Sequence, residues 1–157
     1  MGTQVVGNDT CGTVQVPSNW ENRVTDYDKD IAEDTEMVYY CDPDSEYASK
    51  TFGHFMFARA IQLRYYPASY RQVSRQVLES YDDENYDEVD SEETTFNGLD
   101  CFVINARVKD DNLDVRNIVI DRENQGETTI LLTLQGTPST VDTVSEYASS
   151  WVSPDAQ

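Results

Sequence analysis

The side chains able to do chemistry are heavily skewed in kind: 30 Asp and Glu, one His and three Cys in 157 residues. Within Asp26-Tyr27-Asp28-Lys29-Asp30 the carboxylates alternate. Calcium-binding loops open this way, because side-chain oxygens at every second position can converge on one hard cation. The rest of the segment departs from that pattern. Ile31 stands where the sharp turn needs glycine, and Met37 stands where a bidentate glutamate would close the shell, with Glu36 one place away. Calcium held by Asp26, Asp28 and Asp30 is therefore an expectation set against a plainer one, an acidic segment in water.

A second run, residues 82–93, carries eight carboxylates and no basic residue. It could attract divalent ions or a basic partner, although a solvated loop is the simpler reading. It could also fold back on Arg59, Arg64, Arg71 and Arg75, in surface pairs that contribute about 0–1 kcal/mol each. Glycosidase-type hydrolysis needs two carboxyl groups at a set separation. No local spacing singles out such a pair, so a carboxylate-based hydrolase stands as an alternative without nominated residues.

Nucleophilic catalysis has thinner support. His54 is the only imidazole, it lies in the turn-like Phe52-Gly53-His54, and no serine sits in a GxSxG elbow. Cys101 falls in a strand without a basic neighbour, where a cysteine reads as a packed apolar side chain. The expectation is a chain with no catalytic residues, that is, not an enzyme. Cys11, Cys41 and Cys101 form no CxxC pair, and with one histidine they do not complete a structural zinc site. Cys11 opens the first strand and Cys41 closes the next strong one. If those two strands pair antiparallel, a Cys11–Cys41 disulfide follows, with Cys101 free and an oxidising compartment implied. Tyr39-Tyr40, Tyr65-Tyr66 and Tyr70 could form a stacking surface for a sugar or a partner, against the plainer reading of half-buried core and rim.

Whole-chain properties narrow the partners. A formal charge of -19 repels phosphate backbones and anionic lipid alike. No apolar run approaches the roughly 20 residues of a spanning helix. Nucleic acid and membrane insertion are therefore disfavoured, and a small ligand or another protein is left. Ten Tyr, five Phe and two Trp are more aromatics than disordered acidic chains usually carry, and the length suits one domain with its own core. The acidity itself fits a salt-adapted or extracellular surface. Met1–Gln4 lacks a basic segment followed by an apolar one, so the chain is either cytoplasmic or exported with its leader removed. We expect the second, with residues 1–10 as a polar tether before a single domain over residues 11–153.

The elements that must position these side chains follow from periodicity and turn chemistry. Residues 11–20 alternate Val14 and Val16 with polar neighbours and stop at Pro17, which suits a short strand, and Trp20 caps the core. Residues 21–36 read as an acidic loop with room for a short strand, and EMVYYC as a strand ending at the turn Asp42-Pro43-Asp44. FMFARAIQLRYY places Phe57, Ile61, Leu63 and Tyr65 on one parity, as a single long strand would. Ser69 caps a helix reaching Tyr81, with Tyr70, Val73, Val77 and Tyr81 as its apolar stripe. Asn97-Gly98 turns a hairpin into Leu99, whose strand presents Phe102, Ile104, Ala106 and Val108 to the core and Cys101, Val103, Asn105 and Arg107 to the other side. Residues 115–120 and 129–134 complete a meander. Pro138-Ser139 then opens a helix with Val141, Val144, Ala148 and Trp151 on one stripe.

This order predicts an α+β fold, an antiparallel sheet flanked by helices. GTVQVPSNW at the start, the SYRQVSRQVLESY helix, the FNGLDCFVINARV arm with two further strands, and the closing TVDTVSEYASSWV helix together resemble the PsbP/Mog-type α/β/α superfamily over about residues 12–152. The shared marks are structural, and no functional motif comes with them. The superfamily includes a photosynthetic extrinsic protein, a nuclear-transport cofactor and many bacterial envelope lipoproteins. The resemblance thus implies an adaptor-like binding or accessory domain, extracytoplasmic and either membrane-anchored or secreted, with an unknown partner.

Overall fold

The computed structural model describes residues 2–23, 37–122 and 128–156. In chain order, β1 (Thr3–Asn8), β2 (Gly12–Pro17) and β3 (Glu21–Asn22) precede β4 (Met37–Cys41), β5 (Glu46–Ala48), β6 (Phe55–Phe57) and β7 (Ala60–Tyr66). Helix α1 (Tyr70–Ser80) follows, then β8 (Tyr86–Phe96), β9 (Leu99–Val108), β10 (Leu113–Asp121), β11 (Thr129–Gly136) and helix α2 (Val141–Ala148). Among the described residues, seven strands form one sheet in the order β3-β4-β7-β11-β10-β9-β8, antiparallel throughout. The two hairpins β1-β2 and β5-β6 lie outside it. The fold is α+β, as expected.

Register sorts the residues by face. One rung runs Val38, Leu63, Leu132, Ile118, Val103 across five strands. Beside it Tyr65, Ile130, Ile120 and Cys101 form another. Both belong to the largest core cluster, which also takes Val144 and Ala148 of α2, Val6, Val14 and Val16 of the β1-β2 hairpin, and both tryptophans. The opposite face carries α1, whose Val73 packs with Ile104, Val119 and Leu131. Beside α1 the β5-β6 hairpin covers Val108, Leu113 and Val115. Each face of the sheet therefore holds one helix and one hairpin.

Local signals explain the ends of these elements. The Ser69 side chain accepts a hydrogen bond from the Gln72 amide and caps α1. Asn97 and Gly98 take φ of 51° and 83° between Phe96 and Leu99, as a two-residue hairpin of right-handed twist requires. Gly12, at φ 85°, sits where a Cβ would press on the Trp151 indole.

Four expectations need correction. Residues 1–10 are not simply a tether, because β1 pairs with β2 from Thr3↔Pro17 to Asn8↔Gly12. The run 55–66 is not one strand. Ala58 N and Arg59 N donate to the Ser45 carbonyl oxygen and Ser45 Oγ at 2.9 and 3.1 Å, bending the chain from one sheet into the other. The acidic run is not all loop, since β8 begins at Tyr86. Finally, β2 pairs with β1 rather than β4, so the premise of a Cys11–Cys41 bridge fails and Cys41 is a free thiol.

Candidate functional site

The titratable candidates can be placed first. Asp26, Asp28 and Asp30 lie outside the described residues. Among the described residues no three His, Cys, Asp or Glu side chains gather as a metal shell. His54 is exposed, stacks on Phe52 with ring centroids 6.1 Å apart, and places Nδ1 3.2 Å from the Phe55 carbonyl oxygen. Cys101 is fully buried, and burial pushes its thiol pKa up, as do the nearby Asp100 and Glu92. Burial raises Cys41 as well, against the lowering effect of Arg23. Raised thiol pKa values favour the protonated, weakly nucleophilic form.

Of the tyrosines, Tyr40 and Tyr65 pack on the α2 face, while Tyr66 and Tyr70 pack under α1. The two pairs are thus split across the sheet by strand alternation and do not make one stacking surface.

Three concavities stand out among the described residues. The first extends the rung Tyr40, Ile61, Leu134 toward β8, where its members become Arg116, Asn105 and Asp90. This polar basin of about 240 Å³ is lined by Glu88, Asp90, Asn105, Arg107, Asp114 and Arg116. Its charges are answered internally. Arg107 meets Asp114 at 2.7 Å and Glu88 at 3.1 Å, and Arg116 reaches Asn105 Oδ1 at 3.1 Å and Asp142 at 3.4 Å.

A second cavity, about 310 Å³, opens between α2 and the chain around Trp20, with Asp42, Arg59, Thr140, Thr143 and Tyr147 in its walls. Asp42 is 7% exposed and takes both Nε and Nη2 of Arg59, at 2.9 and 2.5 Å. Asp42 Oδ1 also accepts from the Asp44 amide at 2.9 Å. Trp20 is committed to Tyr147 edge to face, with centroids 5.5 Å apart. These groups are occupied in holding the strand break together.

The third is a groove of about 310 Å³ between α1 and β8. Its floor is Phe102 and Ile104 of β9, and its walls are Arg71, Ser74, Arg75 and Leu78 on one side and Ser91 on the other. The Arg71 guanidinium lies over Tyr70 and Phe102 at 5.2 and 5.9 Å, and reaches Glu93 only at 3.8 Å. Arg75 is exposed and makes no ion pair among the described residues. Leu78 is 37% exposed. Arginines over an apolar, partly aromatic floor can hold a ligand or side chain that is apolar along its body and anionic at one end. In the sequence Arg71 and Arg75 fall outside the stripe of Tyr70, Val73, Val77 and Tyr81, and Phe102 falls on the core face. What residue order leaves out is that the sheet brings them together.

No protein-family profile and no curated protein sequence matches the chain. Solved structures do. Cyanobacterial PsbP (CyanoP) from Synechocystis sp. PCC 6803 superposes with a TM-score of 0.63 over 96% of this chain and 92% of that one, at 13% identity. This is a PsbP-like fold. PA94 of Pseudomonas aeruginosa, a protein of unknown function, covers 97% of both chains at TM-score 0.50 and 10% identity. LpqN, involved in cell envelope biogenesis of Mycobacterium tuberculosis, aligns at TM-score 0.46 and 9% identity over 96% of this chain and 87% of that one. At such identities the PsbP-like likeness is one of architecture, and no site residue carries over. Among the described residues no helix is long and apolar enough to cross a membrane.

Proposed function

We propose that this PsbP-like domain is a non-enzymatic binding or accessory module of a bacterial cell-envelope or secreted protein, and that the α1-β8 groove is its binding surface. The observation that carries the reading is the groove's composition. Two arginines line it together with Phe102, Ile104 and Leu78 in a chain of formal charge -19, Arg71 over the Phe102 ring, and Arg75 makes no ion pair among the described residues. The other two concavities spend their charged groups on internal pairs. The placement outside the cytoplasm draws support from the resemblance to a superfamily containing envelope lipoproteins, and from the acidic surface.

A photo-crosslinking residue placed at Leu78, in the full-length protein in its native host, tests this. The expected result is a discrete adduct in the envelope or secreted fraction, lost when Arg71 and Arg75 are both changed to Glu. The same probe at Phe55, 70% exposed on the β5-β6 hairpin, serves as control and should give none. Equal labelling from both positions would overturn the groove. Turnover of a model ester or glycoside that disappears on substituting one carboxylate would overturn the non-enzymatic reading in favour of a hydrolase.

A further inference from the structure

Among the described residues the sheet ends on β8, which pairs with β9 on one side and with no strand on the other. The opposite edge among the described residues, β3, spans two residues, whereas β8 spans 11. Every residue from 87 to 95 is exposed. An edge strand this long offers a row of backbone donors and acceptors to any strand that can lie beside it, which is a liability unless the edge is guarded.

The guard is charge. Asp87, Glu88, Asp90, Glu92 and Glu93 lie on β8, with no basic residue among its members. They occupy both faces. Asp90 pairs in register with Asn105 and Glu92 with Val103, on the α2 side, while Glu93 is opposite Phe102 on the α1 side. Asp90 accepts from Asn105 at 3.0 Å, Glu88 meets Arg107, and Glu93 meets Arg71 distantly. Asp87 and Glu92 make no ion pair among the described residues. A register shift between Asp87 and Asp90, with Glu88 at φ 52°, interrupts the strand at one end, so regular pairing runs from residue 90 to 96.

A second copy of this edge would set carboxylates against carboxylates, so self-pairing is opposed. A strand carrying positive side chains would instead meet a carboxylate on whichever face each one falls. We propose that the open edge of β8, over residues 90–96, accepts an extended lysine- and arginine-rich segment of a partner protein as an eighth strand. Backbone pairing would supply the geometry, and the carboxylates would select the partner's charge and speed its approach. This extends the binding reading to a second surface. The two fail separately, because loss of crosslinking at Leu78 says nothing about pairing at β8.

The test uses a decapeptide of alternating Lys and Val, the same peptide with every second amide N-methylated, and a Glu-Val counterpart. The Lys-Val peptide should bind, weaken at least tenfold between low and physiological salt, and slow amide exchange over residues 90–96. The N-methylated peptide keeps the charge but loses one edge of donors, and should bind at least tenfold more weakly. The Glu-Val peptide should not bind. Glu92→Lys/Glu93→Lys should abolish Lys-Val binding while the folded spectrum stays unchanged. Equal binding of the N-methylated peptide would show an ionic surface without strand addition and overturn the proposal. So would protection elsewhere, no Lys-Val binding, or a protein dimer that itself protects residues 90–96.

Discussion

Each face of the sheet carries one helix and one hairpin, yet the two are closed in different ways. Under α2 the core is a single cluster, with apolar rungs up to five strands wide and a tryptophan near each end. Under α1 the apolar residues split into two clusters, one beneath the helix and one beneath the β5-β6 hairpin, with Tyr81 touching both. A polar stitch lies at this junction. Buried Asn117 donates to the Tyr81 hydroxyl and to the Ile104 carbonyl at 3.3 Å, and accepts from Thr133 at 2.9 Å. The undivided face has spent its surface on stability. The divided face leaves α1 short of β8, and the groove is the remainder.

The largest test of this contrast is Trp151→Ala. The indole is 4% exposed, and its Nε1 donates to the Cys11 carbonyl oxygen at 3.0 Å in the interior. Beyond it the chain clamps β2, with Thr13 and Val152 exchanging backbone hydrogen bonds at 3.1 and 2.8 Å. Removing the ring leaves a cavity and deletes the buried hydrogen bond to the Cys11 carbonyl, and should cost about 3–5 kcal/mol in denaturant unfolding. A loss below about 1 kcal/mol would mean that the α2 face is no better sealed than the other.

On the divided face Asn117→Ala should cost less, about 1–3 kcal/mol, by stranding the Thr133 hydroxyl. The same stitch gives a pH signature. Burial pushes the Tyr81 phenol up to about 12, although the Asn117 hydrogen bond works in the other direction. The folded state thus keeps its proton longer than the unfolded state, whose tyrosine titrates near 10. This contribution is whole below pH 10 and is lost as pH rises from there toward 12. Tyr81→Phe should flatten that part of the alkaline limb, measured as stability against pH from 8 to 11.5.

Much of this architecture is legible in residue order. Asn97-Gly98, the Ser69 cap and the stripes of both helices announce their elements because each rests on local chemistry. Where reading failed, long-range pairing decided. Asp and Glu disfavour strands, so residues 86–93 look like loop. They are held extended because the hairpin pairing that starts at Phe96↔Leu99 continues, through one register shift between Asp87 and Asp90, to Tyr86↔Val108. Thr3–Asn8 is polar enough to pass for a tether, and becomes a strand only because Val6 has β2 and the α2-face core to pack on. The parity of Ile61, Leu63 and Tyr65 was readable, but the bend before it depends on Ser45 and Asp42, more than a dozen residues earlier. The groove was least legible, since its walls come from α1 and β8 and its floor from β9.

The smallest expected effect tests how the β5-β6 hairpin is held to the divided face. Asp111, between β9 and β10, accepts from Ser49 Oγ at 2.5 Å, the Lys50 and Thr51 amides at 2.8 and 3.4 Å, and the Tyr47 hydroxyl at 3.2 Å. Burial by itself would raise the carboxyl pKa, but these donors outweigh it and hold the group below its ordinary value. A depressed folded pKa means stability that is present above the unfolded value near 3.9 and is lost as pH falls through the folded one. The site is partly open to solvent, so screening keeps the contribution under about 1 kcal/mol. Asp111→Asn should therefore be slightly less stable than the parent at pH 7, with the gap closing as pH falls through the depressed folded pKa, and amide exchange should quicken in β5-β6 but not in β1-β2. A gap that persists at low pH would mean that shape rather than charge fixes the hairpin. The divided face would then be held by packing, as the α2 face is.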